Sequence, residues 1–346
     1  MDFSTNAHPL GPNPWLDEQI KGADRSRYPD PGYTDLRDAL AQFHRVALQR
    51  VVIGASASEL IWRLTRAWSA LARGAVVTDH RTFGEYLRAA RALQVTVRSD
   101  VRSRSRSRSR SVLYWYCNPD NPSGAARDDE IARALARLRT AAAGPRGLIV
   151  TDLAYWPFRQ LLRGSGPLRL DAPWADAVVQ LWSPNKLHGL TGVRGAYLVL
   201  PANCAPLSDS HLARLAPSWP LGADGVALLA GHTHSEARGY LDDTAPKLRE
   251  WKALQDQRLR DEGWTPQVSE MHFGLWQPPV PRTLQRAWHV HLRLCGIKVR
   301  DARSFGRPGW VRLVTRAPQQ VEQLISVTDR FRRMRHPTRA RIEALR

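Results

Sequence analysis

The stretch Ser183-Pro184-Asn185-Lys186-Leu187-His188-Gly189-Leu190-Thr191-Gly192-Val193-Arg194-Gly195-Ala196-Tyr197 joins two short apolar runs, Ala177 to Leu181 and Ala196 to Leu200. Runs of this length, rich in β-branched and bulky residues, read as buried strands. The polar segment therefore leaves one strand with Ser183 and Lys186 and brings Arg194 to the start of the next. Taken alone, a lysine after a strand is ordinary surface. Its surroundings change that reading.

The same alternation extends toward the N-terminus. Val51 to Ile53 form a strand ending at Gly54, and Ser56 and Ser58 precede Leu60, Ile61, Leu64 and Trp68 at helical period. Ala75 to Thr78 read as a strand, Phe83 to Leu93 as a helix, and Val95 to Val97 as a strand. Val112 to Tyr116 form another strand, Asp129 to Ala142 a helix, and Leu148 to Thr151 a buried strand. Short apolar strands interleaved with amphipathic helices predict an α/β fold with a mostly parallel central sheet covered by helices. Ligands in such sheets sit beyond the carboxyl ends of the strands. Polar residues gather there: Asn118-Pro119-Asp120-Asn121-Pro122-Ser123-Gly124 after one strand, Asp152 and Tyr155 after another, Ser183 and Lys186 after a third. The Asn-Pro pairs alone are equally suited to a plain turn.

The flanks are different. Pro9, Gly11, Pro12 and Pro14 exclude a helix throughout the opening, so residues 1–27 read as an arm. After the turn-rich Tyr28-Pro29-Asp30-Pro31-Gly32, Thr34 is placed to cap a helix carrying Leu36, Leu40 and Phe43. A large domain is expected over 28–222. Past Gly222 a long polar helix, Val226 to Glu262, and short strands near Met271 to Trp276 and Trp310 to Val314 predict a smaller α+β domain, 223–346.

A chain of 346 residues suits two packed domains with a sizeable core. No apolar run reaches the roughly 18 residues a membrane span needs. Met1 to Leu10 carry neither a basic nor an apolar leader segment, which points to the cytoplasm. Cys117, Cys204 and Cys295 are too scattered for a disulfide framework, and no metal site is expected. The charge of +19 invites a nucleic-acid partner, since a basic surface attracts phosphate polyanions. Five of those charges, Arg102, Arg104, Arg106, Arg108 and Arg110, alternate with serines in one low-complexity tract, and more arginines crowd Arg330 to Arg346. These read as solvated loop and surface. A basic surface also suits a phosphorylated substrate.

The order and spacing of Asn121, Asp152 in IVTDLAY, and Ser183, Lys186 and Arg194 resemble the fold-type I aminotransferases of class I and II. The arm DFSTNAHPLG, the segment RYPDPGYTDLRDALA and the distal WVRLVTR are similar to the branch of histidinol-phosphate aminotransferase and threonine-phosphate decarboxylase. The resemblance covers nearly the whole chain. It implies the pyridoxal-phosphate-dependent transferase fold, with pyridoxal 5′-phosphate held as an imine on Lys186. Such an aldehyde needs an amine that is neutral part of the time, which desolvation of a lysine provides. Asp152 matches the carboxylate that keeps the ring nitrogen protonated, so that the ring withdraws electrons. Asn121 and Tyr155 match the donors to the ring oxygen. For Tyr155 a core aromatic with a satisfied hydroxyl is the plainer alternative.

At the phosphate end, Ala57 and the hydroxyl of Ser56 or Ser58 open a helix, where unpaired amides favour a dianion. Ser183 and Arg194 match the remaining phosphate ligands. Tyr28 matches a tyrosine that reaches the phosphate of a neighbouring subunit, implying a homodimer. Phe83 matches the aromatic stacked on the ring, with Tyr86 as the other candidate. Arg312 matches the arginine that forks onto a substrate carboxylate. Asn6 and Arg316 are candidates for the same end, Arg316 being equally readable as surface.

Three positions depart from the family pattern: Leu153 stands where an acidic residue is usual, Asn185 where a hydroxyl residue is usual, and His8 where a second asparagine is usual. The expected reaction is transfer of an amino group from a phosphorylated or carboxylated amine to an oxo acid, with decarboxylation of threonine phosphate in cobalamin assembly as the alternative. A non-catalytic basic binding protein on the same fold is the third reading, motivated by charge and the Arg-Ser tract.

Overall fold

In the computed structural model, residues 1–72, 74–98, 111–140, 147–164, 166–202 and 207–335 are described. The Arg-Ser tract, Cys204 and the arginines beyond residue 335 lie outside them. The apolar runs become β1 (Val51–Gly54), β2 (Ala75–Val77), β3 (Val97–Arg98), β4 (Val112–Cys117), β5 (Gly147–Asp152), β6 (Val179–Trp182) and β7 (Ala196–Val199). They pair in the order β1-β7-β6-β5-β4-β2-β3, with β7 alone running against its neighbours.

Side chains alternate across a strand, so each run feeds two cores. On one face Val51, Ile53, Tyr114, Ile149 and Tyr197 pack under α2 (Thr34–His44), α5 (Asp128–Thr140) and α8 (Ala223–His232). On the other, Val52, Trp115, Val150, Leu181 and Leu198 pack under α3 (Ala57–Ala72), α4 (Glu85–Ala92) and α7 (Asp209–Ala213). The arm contributes α1 (Pro14–Lys21), which packs on α8.

The distal part carries α9 (Ser235–Asp261), α10 (Gln285–Leu294) and α11 (Pro318–Arg335) around a second, antiparallel sheet. Its strands β8 (Thr265–Pro266), β9 (Phe273–Gln277), β10 (Arg300–Asp301) and β11 (Val311–Val314) lie in the order β10-β11-β9-β8. Phe3 of the arm is buried in its core beside Trp288 and Leu313. A further cluster, including Tyr155, Phe158, Leu187, Leu241, Phe273 and Val314, joins the two sheets. That seam positions the site. Among the described residues no helix is long and apolar enough to cross a membrane, and no cluster of side chains suits a metal ion.

Four local expectations are corrected. The long helix over Val226 to Glu262 is two helices, because the Thr233 hydroxyl turns back onto the Ala230 carbonyl at 2.7 Å and His234 is extended. Thr34 is the first helical residue rather than the cap; the Asp30 carboxylate accepts from its amide at 2.7 Å. The Val95 to Val97 run pairs only at Val97–Arg98. The helix expected from Phe83 starts at Glu85, leaving Phe83 in the preceding turn.

Candidate active site

The end of β5 and the loops after β4 and β6 bring polar residues to one region. Asp152 closes β5 as the Cα partner of Cys117 at the end of β4, and Lys186 lies in the loop between β6 and β7. Asp152 is 3% exposed, a costly position for a carboxylate unless hydrogen bonds compensate. Its Oδ2 accepts from the Tyr86 hydroxyl at 2.7 Å and its Oδ1 from the Ala154 amide at 3.1 Å. Burial raises its pKa, opposed by these bonds and by Lys186. The Lys186 amine is pushed below the usual lysine range, first by burial and next by Arg194 and Arg312, while Asp152 opposes the shift. Its Nζ lies 5.7 Å from the centroid of the Tyr155 ring.

Tyr155 caps α6 (Trp156–Arg163) and packs edge-on to Phe273 at 4.8 Å. Asn6 of the arm donates to the Tyr155 hydroxyl at 3.4 Å, and burial raises that phenol's pKa. Asn121 is held by a loop whose Asp120 accepts from Thr82 at 2.6 Å and from Ser123 at 2.5 Å. The Asn121 side-chain oxygen accepts from Arg312, which also donates to the Ser4 carbonyl at 2.6 Å. Arg312 thus bridges the large-sheet loop and the arm while its guanidinium lies 5.8 Å from the Phe273 ring.

The start of α3 is a tight, half-buried turn. Only glycine suits position 54, where a Cβ would come within 2.6 Å of Glu59 Oε2. Ser56 Oγ accepts from the Glu59 amide at 3.1 Å, and Glu59 accepts from the Ala55 amide at 3.2 Å. This is a capping box displaced by one residue, readable as Ser56-x-x-Glu59. Arg63 forks onto Glu59 at 2.7 Å. The Ser56 hydroxyl retains its proton for a ligand. Ser183 donates to Asn185 at 3.1 Å, and Arg194 is exposed.

Not every expected residue joins this cluster. Tyr28 is 77% exposed and stacks on Trp219 at 4.4 Å. Arg316 donates through its side chain to the Asp2 carbonyl at 2.8 Å and through its amide to Gln255 at 2.9 Å, so it anchors the arm. Phe83 is partly exposed and meets Tyr86 edge-on at 5.6 Å. Tyr86 itself stacks on Trp115 with its hydroxyl on Asp152, and this partnership excludes it as the ring-stacking aromatic.

Sequence reading missed His272, which donates to the Asn6 carbonyl at 3.2 Å and stacks on Phe158 at 3.7 Å. His8, one of the departures from pattern, packs on the same Phe158 ring at 5.8 Å. Neither was detectable without knowing that Phe158 lies between them. Among the described residues, three buried atoms at this end have no partner: Asn6 Oδ1, His272 Nδ1 and Arg312 Nε. Buried polar atoms are normally satisfied, and here three on neighbouring side chains are not.

The chain is similar to known proteins along almost its whole length. Histidinol-phosphate aminotransferase of Jannaschia sp. is 25% identical over 94% of this chain and 89% of its own. The solved L-threonine-O-3-phosphate decarboxylase of Porphyromonas gingivalis superposes with a TM-score of 0.77 at 20% identity, covering 96% of this chain and 99% of that one. Histidinol-phosphate aminotransferase of Sinorhizobium meliloti, solved in complex with pyridoxal-5′-phosphate, gives 0.76 at 20% identity over 95% and 91%. The family model described as "Aminotransferase class I and II" matches residues 1–327, and the chain therefore belongs to the class I and II aminotransferase family.

Proposed function

We propose that this enzyme is a pyridoxal 5′-phosphate-dependent aminotransferase acting on a phosphorylated or carboxylated amine, similar to histidinol-phosphate aminotransferase, with an oxo acid as acceptor. The observation that carries the reading is the convergence of a depressed lysine amine, a buried carboxylate and a buried arginine on one seam. Pyridoxal phosphate supplies an aldehyde that takes up amines and a protonated ring that draws electrons from the adjoining carbon. The residues present fit it: Lys186 offers the amine, and Asp152 keeps lone pairs free for a ring nitrogen. Asn121 and Tyr155 offer donors to the ring oxygen, and Phe83 offers a face. Ser56, Ala57, Ser58, Ser183 and Arg194 offer donors to the phosphate.

Lys186, when its amine is free, would be the base that takes the proton from the substrate Cα. Arg312 holds the carboxylate end, exchanging the Ser4 carbonyl for the substrate oxygen, with Asn6 beside it. Arg316 supports this end by fixing the arm and is the candidate contact for a substrate phosphate. The active unit is a homodimer in which the exposed Tyr28 reaches the neighbouring phosphate site. Arm (1–27), large domain (28–222) and small domain (223–346) meet at the seam, and the enzyme works in the cytoplasm.

A second reading, threonine-phosphate decarboxylase of cobalamin assembly, is favoured by DFSTNAHPLG and the RYP segment. The two differ in which Cα bond the site turns perpendicular to the ring. A nucleic-acid role has less support, since Arg37, Arg50 and Arg159 are paired with Asp209, Asp176 and Asp128. The test is an absorption spectrum of the protein with cofactor, then with histidinol phosphate or threonine phosphate in the absence of oxo acid. A band near the visible edge that Lys186→Ala lacks, bleached by histidinol phosphate, supports transamination. Carbon dioxide from threonine phosphate selects the decarboxylase. No band with wild-type protein rejects both.

A further inference from the structure

We propose that Tyr86 is the positioning residue for Asp152, its one hydroxyl proton fixing the carboxylate in the orientation and ionisation that a protonated ring nitrogen requires. The catalytic part of this inference rests on the cofactor reading above; the effect on Asp152 does not.

The geometry isolates the contribution of the hydroxyl. Tyr86 is fully buried on the inner face of α4, and its ring lies parallel to Trp115 of β4, 4.9 Å away and inclined by 10°. Phe83 closes one edge at 5.6 Å and 83°. The ring therefore has one orientation, and that orientation ends at Asp152 Oδ2, 2.7 Å away. The Ala154 amide holds the other oxygen at 3.1 Å. One donor per oxygen fixes the carboxylate plane and leaves further acceptor capacity on both atoms.

Ionisation is set by the same contacts. The titratable groups facing Asp152 are Tyr86 from α4, Cys117 from β4, Tyr155 from the start of α6, and Lys186 from the loop after β6. Only Lys186 among them can be cationic, and its amine must be neutral part of the time to react. A buried carboxylate so placed depends on neutral donors for its charge, and hydrogen bonds to an ionised group are about twice as strong as neutral ones. Burial keeps the Tyr86 phenol protonated, hence a donor. Without this donor, the shared proton moves from the ring nitrogen toward Asp152, and electron withdrawal weakens.

Tyr86→Phe retains the ring and its stack and removes only the hydroxyl, and with it the bond to Asp152 and the contact with Cys117. In the apoprotein, with aspartate labelled at the carboxyl carbon and the Asp152 signal identified by its loss in Asp152→Asn, carbon NMR should show Asp152 titrating about one unit or more higher in Tyr86→Phe, a tenfold change in its ionisation constant. In the holoenzyme, the nitrogen signal of ring-labelled pyridoxal phosphate should move toward the unprotonated position, and kcat should fall about tenfold with KM for the amine little changed. Unchanged Asp152 titration in the apoprotein overturns the proposal. A raised Asp152 pKa with an unchanged ring-nitrogen signal overturns its catalytic part. Should wild-type protein take up no cofactor, the cofactor reading fails, and the carbon titration still decides what Tyr86 does to Asp152.

Discussion

The two ends of the seam are built differently. At the end of β5, each Asp152 oxygen has a donor, Tyr86 is wedged between Trp115 and Phe83, and the Asn121 loop is tied through Asp120. At the arm and β11, Asn6 Oδ1, His272 Nδ1 and Arg312 Nε are buried without partners among the described residues. At the first end both Asp152 oxygens have donors, although Trp115 Nε1 and Thr151 Oγ1 nearby have no partner among the described residues; at the second, the unpartnered atoms belong to the very side chains that gather there. Under the proposed function, the contrast would set the cofactor's ring against a carboxylate already held in place and leave the arm end for the substrate to complete. Preorganised groups act on charge without reorganising at the moment of reaction.

The largest expected effect breaks the Asp152 end. Asp152→Asn removes the negative charge while keeping the shape, and steady-state kinetics should show kcat lowered roughly a hundredfold to a thousandfold. A fall under tenfold would mean that this carboxylate does little for the chemistry.

His8 joins the two ends, its amide on the Lys186 carbonyl at 2.9 Å and its ring beside Phe158. Burial pushes its pKa down to about 4. An unfolded histidine takes its proton near pH 6.5, so the unfolded chain binds protons that the folded chain refuses. The stability involved is present above pH 6.5 and declines as pH falls toward 4, by about 3 kcal/mol for this group. Urea unfolding across that range should show the decline, and His8→Asn should make it shallower. An equal slope in the variant would remove His8 from the account.

Arg312→Lys sharpens the contrast at the arm end. Lysine cannot fork, so KM for a carboxylated donor should rise about tenfold to a hundredfold with a smaller change in kcat. Equal losses in kcat and kcat/KM would place Arg312 with the Asp152 end instead. The smallest effect concerns the helix opening the phosphate turn. Ser56→Ala removes the cap and should cost about 1 kcal/mol in denaturant unfolding.

Legibility in the sequence divides in a similar way. Asp152, Asn121, Ser183 and Lys186 could be located because strand periodicity predicts where a strand ends and which residues come next. The capping pair Ser56 and Glu59 was equally readable by spacing. Tyr86 entered the sequence reading only through the family resemblance, as the alternative to Phe83 for the ring-stacking aromatic; its hydrogen bond to a residue 66 positions away depends on how α4 lies across β4 and β5. His272 and Phe158 meet only because the second sheet folds back on α6. The broken helix at Thr233 turned on one side-chain hydroxyl overriding a continuous polar pattern.

The arm is gripped by its backbone. Arg312 takes the Ser4 carbonyl, Arg316 the Asp2 carbonyl and His272 the Asn6 carbonyl, while the Phe3 carbonyl receives the Val314 amide. Every residue type possesses a carbonyl, so these four grips, unlike the buried Phe3 ring and the Ser4 and Thr5 hydroxyls on Asp2, do not depend on which side chain stands above them. Position 6 is where that matters under the proposed function: its side chain can be exchanged while His272 keeps the Asn6 carbonyl and the segment stays moored.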